Sequence, residues 1–211
     1  MRLQSQSSRK ILALDAMGVI YAEADDGHKL LYPFIVEKGG CDNIREIGRL
    51  WGAASIGKIT SDELWRSAGL DPALEDEYLR RYRLMDGIIE FLDAMHSRGM
   101  ELWVLSNDIS EWSRKSRQRF GLEEYFRGFI ISGEIGKRKP DPAIYLHLLE
   151  QSGAKPQDVI FVDDRPRNLA AADALGILTI LFNPTPEDSH GHNYTTVRTL
   201  RELQEILGNT I

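Results

Sequence analysis

The chain has 211 residues, 42% of them hydrophobic and 27% charged, which fits a globular protein with one large domain or one domain carrying an insert. A formal charge of −6 argues against nucleic acid or a membrane surface as partner. A single cysteine, Cys41, excludes an internal disulfide and fits a reducing compartment; no apolar run has membrane-spanning length and the polar start MRLQSQSSRK has no secretory core, so a cytoplasmic location is expected.

In chain order, residues 1–9 read as a loose tail. Ile11-Leu12-Ala13-Leu14 then reads as a short, fully buried strand that runs into Asp15 and a turn at Gly18. From Tyr21 to Met85 helical spacing takes over. Leu30, Leu31, Phe34 and Ile35 share one helical face, and Ile44, Ile47, Leu50 and Trp51 repeat the spacing. Thr60-Ser61-Asp62-Glu63 matches a capping box, and Asp71-Pro72 opens a further helix with Leu74, Tyr78 and Tyr82 stacked along it. These helices interrupt a sheet domain after its first strand. The expected division is an α/β core over 10–20 and 86–211 and a helical cap over 21–85.

After Asp86 strands and helices alternate. A helix over Gly87–Arg98 stops at Gly99, and the strand Glu101–Leu105 ends at Ser106-Asn107. Asp108 with Glu111 resembles a second capping box, opening a helix that runs to Phe120. Phe129–Ile131 reads as a strand, Asp141-Pro142 as a helix start, and Val159–Val162 as a strand ending at Asp163-Asp164. Asn168–Leu175 reads as a short helix, Ile177–Phe182 as the last strand, 183–194 as a polar loop, and Leu200–Leu207 as a closing helix. This rhythm predicts a three-layer, doubly wound parallel sheet. Parallel strands gather Asp15, Ser106, the Lys137/Lys139 loop and Asp163-Asp164 at one sheet edge, where open α/β sheets bind ligands.

Those four segments resemble, in order, the four motifs of the haloacid dehalogenase superfamily, most of whose members are phosphatases. Leu14-Asp15-Ala16-Met17-Gly18-Val19 is similar to the first, Val104-Leu105-Ser106-Asn107 to the second, Gly136-Lys137-Arg138-Lys139-Pro140 to the third, and Phe161-Val162-Asp163-Asp164 with Asn168 to the fourth. The resemblance spans Ile11 to about Ile180 and places the family's cap where the helical insert lies. It implies a small-molecule phosphate substrate and an Asp15 nucleophile that forms an aspartyl phosphate. It further implies Mg²⁺ held by Asp15, the Met17 carbonyl and Asp164 with Asp163 nearby, phosphate contacts from Ser106, Asn107 and the Gly18 turn, and charge stabilisation by Lys139.

Most phosphatases of the superfamily have a second aspartate where this chain has Met17. That residue protonates the leaving oxygen and later activates water, work worth about 10²–10⁴ in rate. Three outcomes stay open: a phosphohydrolase with weakened acid–base catalysis, a dehalogenase-like hydrolase, and a binding or regulatory protein that has lost turnover. Among the remaining residues, Arg165 and Arg167 read as anion-recruiting or surface groups, and Arg114, Lys115, Arg117 and Arg119 as a solvated helix face. Trp51, Trp65 and Trp103 read as packing, Cys41 as a small buried apolar residue, and His190 and His192 as loop residues.

Overall fold

The computed structural model describes residues 10–184 and 194–210; the tail expected over 1–9, and His190 and His192, lie outside them. Six parallel strands form one sheet: β1 (Ile11–Leu14), β2 (Glu101–Ser106), β3 (Gly128–Ile131), β4 (Val159–Asp163), β5 (Leu178–Phe182) and β6 (Thr195–Val197), in the order β3-β2-β1-β4-β5-β6. The order reverses beside β1, so the carboxyl ends of β1 and β4 flank the crevice where such sheets take ligands. β1 and β4 are buried at every position, which is why they are uninterrupted apolar runs rather than alternating ones.

The insert contains a π-helical turn (Gly27–Leu31) and the helices α1 (Tyr32–Glu37), α2 (Ile44–Ala54), α3 (Ser61–Ser67) and α4 (Glu75–Leu79). After it come α5 (Ile88–Ser97), α6 (Ser110–Arg119), α7 (Ser132–Ile135), α8 (Pro142–Ser152), α9 (Pro166–Asp173) and α10 (Leu200–Thr210). Leu12 and Leu14 pack on one face of the sheet with α5, α6, α10 and the insert; Ile11 and Ala13 pack on the other with α8 and α9. The insert thus shares one continuous apolar cluster with the helices beneath it. Its aromatic centre is Phe34, Trp65, Tyr78 and Trp112, whose rings lie 4.8–5.8 Å apart. Glu75 is buried among them and accepts from Trp65 Nε1 at 3.1 Å and Trp112 Nε1 at 2.8 Å, while Lys115 pairs with it at 2.9 Å.

The capping box at Thr60 and Glu63 forms, and Asp141 caps α8 with Pro142 at its first position. Other local expectations need correction. Asp108 does not cap α6: its carboxyl accepts from the Ile109 amide at 2.7 Å, and the helix begins at Ser110. Asp71-Pro72 opens a 3₁₀ turn (Pro72–Leu74) ahead of the short α4. Ile44 is exposed, because the first turn of α2 lies outside the contact that buries Ile47 and Leu50. α9 begins at Pro166, two residues before Asn168. β5 is not the last strand; the polar, three-residue β6 is too short for alternation to reveal it. The basic face of α6 is not simply solvated, since Lys115 reaches Glu75 and Asp76 and Arg119 donates to the Leu79 carbonyl. Cys41 is half-buried.

Candidate active site

Asp15 leaves β1 at the sheet's central carboxyl edge, its amide bonded to the Val162 carbonyl of β4 at 2.9 Å. The chain then turns tightly: the amides of Ile20 and Tyr21 return to the Ala16 carbonyl, and Gly18 donates to the Tyr21 carbonyl at 2.8 Å. Gly18 has φ +79°, and a Cβ there would come within 3.0 Å of Asp164 Oδ2 and of Ala24 Cβ. A side chain is excluded twice over, by backbone conformation and by the close approach of the β4 carboxylate. Gly18 thus makes room for Asp164; its own amide is already spent.

Lys139 is fully buried and brings the strand tips together. Its ammonium donates to the Leu105 carbonyl at 2.8 Å and pairs with Asp15 Oδ1 and Asp163 Oδ2, each at 2.7 Å. The Asn107 side chain fixes this lysine's backbone from both sides, accepting from its amide at 2.7 Å and donating to its carbonyl at 2.9 Å. Asp163 is completely satisfied: besides Lys139 it accepts from the Arg165 amide at 2.7 Å, and Asn168 donates to both its oxygens at 3.0 Å. It orients the lysine and the turn into α9.

The other polar groups are not satisfied. Among the described residues Asp15 receives the Ala16 amide and Lys139 on Oδ1 alone. Asp164 Oδ1 is buried without a hydrogen bond, with Arg165 Nε 3.8 Å away. Ser106 Oγ, at the tip of β2, is likewise buried and unpartnered. Among the described residues the Met17 carbonyl accepts no hydrogen bond. Oxygens of Asp15, Asp163 and Asp164 lie within 4.8 Å of one another. Three carboxylates therefore share one buried ammonium, an excess of negative charge that burial makes costly. Burial, opposed by Lys139 and reinforced by the two neighbouring aspartates, raises the Asp15 carboxyl well above its ordinary value. Burial and Asp163 push Asp164 up to about 7. Lys139 is held above its ordinary value because Asp15 and Asp163 outweigh its burial. Such a set of hard oxygen donors with surplus charge fits a divalent cation such as Mg²⁺.

Asp15, Met17, Asn107 and Lys139 line one small cavity together with Asp26, Trp51, Arg138 and Arg165. Trp51 is therefore more than packing: it lies under the Arg138 guanidinium at 4.7 Å and faces the site. Trp65 and Trp103 are core residues. Arg165 is drawn inward by the Ala24 carbonyl at 3.0 Å. The sequence reading missed Asp26 and Arg138. Arg138 could have been found from its place beside Lys139, but nothing local marks Asp26, which reaches the cavity only because the insert folds back over the sheet.

A family model described as haloacid dehalogenase-like hydrolase matches residues 10–176. Among curated proteins, flavin mononucleotide hydrolase 1 of Arabidopsis thaliana is 30% identical over 139 residues, 63% of this chain and 56% of that protein. Phosphoserine phosphatase of Thermus thermophilus is 31% identical over 127 residues, 59% of this chain and 51% of that protein. This chain's matches thus span about half the length of these relatives. Among solved structures, an enzyme from Bacteroides thetaiotaomicron in complex with magnesium and inorganic phosphate has a TM-score of 0.70 at 22% identity, covering 87% of this chain and 98% of that one.

Proposed function

The chain belongs to the haloacid dehalogenase-like hydrolases, and on that premise we propose that it is a Mg²⁺-dependent phosphohydrolase that acts on a small phosphorylated metabolite through an aspartyl phosphate at Asp15. The observation that carries this reading is the unbalanced charge at the strand tips. Asp163 is saturated by Lys139, Arg165 and Asn168, whereas Asp15 and Asp164 keep free oxygens beside the unpaired Met17 carbonyl. Asp15, Asp164 and that carbonyl would hold the ion, which supplies positive charge to a phosphate dianion that the carboxylates would otherwise repel. The names of the relatives, and the magnesium and phosphate in the Bacteroides enzyme, point the same way.

The chain's own groups divide the remaining work. Asp15 Oδ2 is free to attack phosphorus, since the Ala16 amide and Lys139 both hold Oδ1. Lys139, fixed through its backbone by Asn107 and through its ammonium by Asp163, stays charged and stabilises the transferring oxygens. The unpartnered Ser106 hydroxyl donates to a phosphoryl oxygen. The insert acts as a cap: its Trp51, stacked with Arg138 of the Lys139 loop, covers the cavity, excludes water and favours a compact substrate such as a sugar phosphate over a protein phosphosite.

Met17 favours a second reading, a protein that binds Mg²⁺ and a phosphorylated ligand without turnover, because it removes the proton donor from its usual place. Dehalogenase chemistry fits less well, since it gives the surplus carboxylates no role. The deciding experiment measures phosphate release from a broad panel of phosphomonoesters, with and without Mg²⁺, for the native chain and Asp15→Asn. Mg²⁺-dependent release abolished by Asp15→Asn supports the first reading. Mg²⁺ binding with no release supports the second.

A further inference from the structure

Asp26 is a buried carboxyl that, among the described residues, makes no ion pair. It immediately precedes the π-helical turn but does not cap it, and the local group that favours its charged form is the Gly27 amide. A carboxyl taken out of water with no counter-charge in contact lowers stability, so its presence calls for an explanation. Its position supplies one. Asp26, Trp51 and Arg165 line two cavities at once. The inner cavity, about 30 Å³, contains Asp15, Met17 and Lys139, and has room for little more than a few waters' worth of ligand. The outer one, about 160 Å³, is mostly apolar and lined by Leu31, Ile44, Ile47 and Gly48 of the insert. A phosphomonoester with its phosphoryl group against Asp15 and its organic part in the outer cavity would place the bridging oxygen at the junction, beside Asp26.

We propose that Asp26 is the general acid–base of this enzyme, taking over from the insert the work that a carboxyl at position 17 would do, on esters whose organic part is a compact, largely apolar group. The inference rests on the phosphohydrolase reading. In the first half-reaction the Asp15 Oδ2–P bond forms and the P–O bond to the leaving group breaks, while the Asp26 proton passes to the departing oxygen and an alcohol leaves. In the second, water gives a proton to the Asp26 carboxylate as its oxygen bonds to phosphorus, and the Asp15–P bond breaks to release inorganic phosphate. Each group ends as it began.

The surroundings suit the task. Burial lifts the Asp26 carboxyl to about 6, against the Gly27 amide and Arg165 that favour its charged form and with Asp25 that disfavours it. Tyr78 and Tyr82 from the insert, Asp108 after β2 and Arg138 from the Lys139 loop also sense its charge. With its carboxyl near 6, Asp26 is protonated in about a tenth of molecules at pH 7, against about a thousandth for an unperturbed aspartate, and its pKa lies near the operating pH as a general acid–base requires.

The test compares phenyl-alkyl phosphates, whose leaving oxygen needs a proton, with nitrophenyl phosphate, whose leaving group does not, on the full chain with Mg²⁺. Asp26→Asn should lose about 10²–10⁴ in kcat/KM on the alkyl esters and less than about tenfold on nitrophenyl phosphate. Met17→Asp in the Asp26→Asn background should restore part of the alkyl rate. Equal losses on both ester classes, or no loss on either, would overturn the assignment while leaving Asp15→Asn inactive. Full activity in Asp15→Asn, or no turnover by the native chain, would instead overturn the phosphohydrolase reading and this inference with it. Should Asp26→Asn not fold, the native pH profile decides: a fall in kcat/KM above about pH 6 for alkyl but not nitrophenyl esters supports Asp26, and identical profiles refute it.

Discussion

Replacing Lys139 by methionine removes the buried cation that pairs with Asp15 and Asp163 beside Asp164 and leaves the volume nearly unchanged. The ammonium makes contacts of 2.7–2.8 Å to Asp15, Asp163 and the Leu105 carbonyl, and the thioether can replace none of them. Stripping one partner from a buried ion pair costs about 3–5 kcal/mol, a large part of the ~5–15 kcal/mol that holds a domain folded. The sign of its pH dependence follows from the carboxyls left behind. Without Lys139 the already raised folded-state pKa values of Asp15 and Asp164 rise further above the unfolded ones, so the folded variant binds protons that the unfolded chain does not, and its stability falls as pH rises. Metal-free urea unfolding followed by circular dichroism should therefore show the full deficit near pH 8 and a much smaller one near pH 5. Mg²⁺ should recover part of it, since a cation then replaces the ammonium charge. A deficit below about 1 kcal/mol, the range of an exposed pair, or one identical at both pH values, would refute the buried-triad argument.

Ser106→Ala should leave stability unchanged within about 0.5 kcal/mol, because the hydroxyl is buried without a partner, yet weaken inhibition by inorganic phosphate about tenfold; a melting curve and a Ki on the same preparation check both. Gly18→Ala should cost about 1–2 kcal/mol for the left-handed backbone and also weaken Mg²⁺ binding in calorimetry, since the new methyl presses on Asp164 Oδ2; a stability loss with unchanged Mg²⁺ affinity would contradict the second part. Burial raises Asp26 from 3.8 to about 6, so its contribution to stability is lost as pH rises through that interval, a change of roughly 2–3 kcal/mol. Asp26→Asn should flatten that portion of the stability–pH curve and leave the variant the more stable of the two above it, as urea titrations across the range would show.

The sheet was legible because β1 and β4 are buried on both faces and so appear as bare apolar runs, and because Asp15 and Asp163-Asp164 break those runs at the strand ends. The motif order carried Lys139 and Ser106 to the same edge. What could not be read depends on contacts distant in sequence. Asp163 and Asp164 look alike in the chain, and only the saturation of one by Lys139, Arg165 and Asn168 separates their roles. Asn107 reads as a phosphate contact through its backbone amide, and the second role of the residue, a side chain that clamps the backbone of Lys139, has no local signature. Asp108 carried a local capping pattern, but its carboxyl turned to the Ile109 amide instead. Trp51 and Asp26 meet the site only through the packing of the insert, which no local periodicity encodes.

The central claim is that the tips of β1, β2 and β4 and the Lys139 loop form one phosphoryl-transfer site with Asp15 as its nucleophile. Acid-quenched turnover followed by peptide mapping tests it most directly. The account predicts a Mg²⁺-dependent, base-labile phosphoryl group on the peptide containing Asp15, absent from Asp15→Asn. Steady phosphate release with that peptide unmodified, or a phosphoryl group on any other residue, would contradict it.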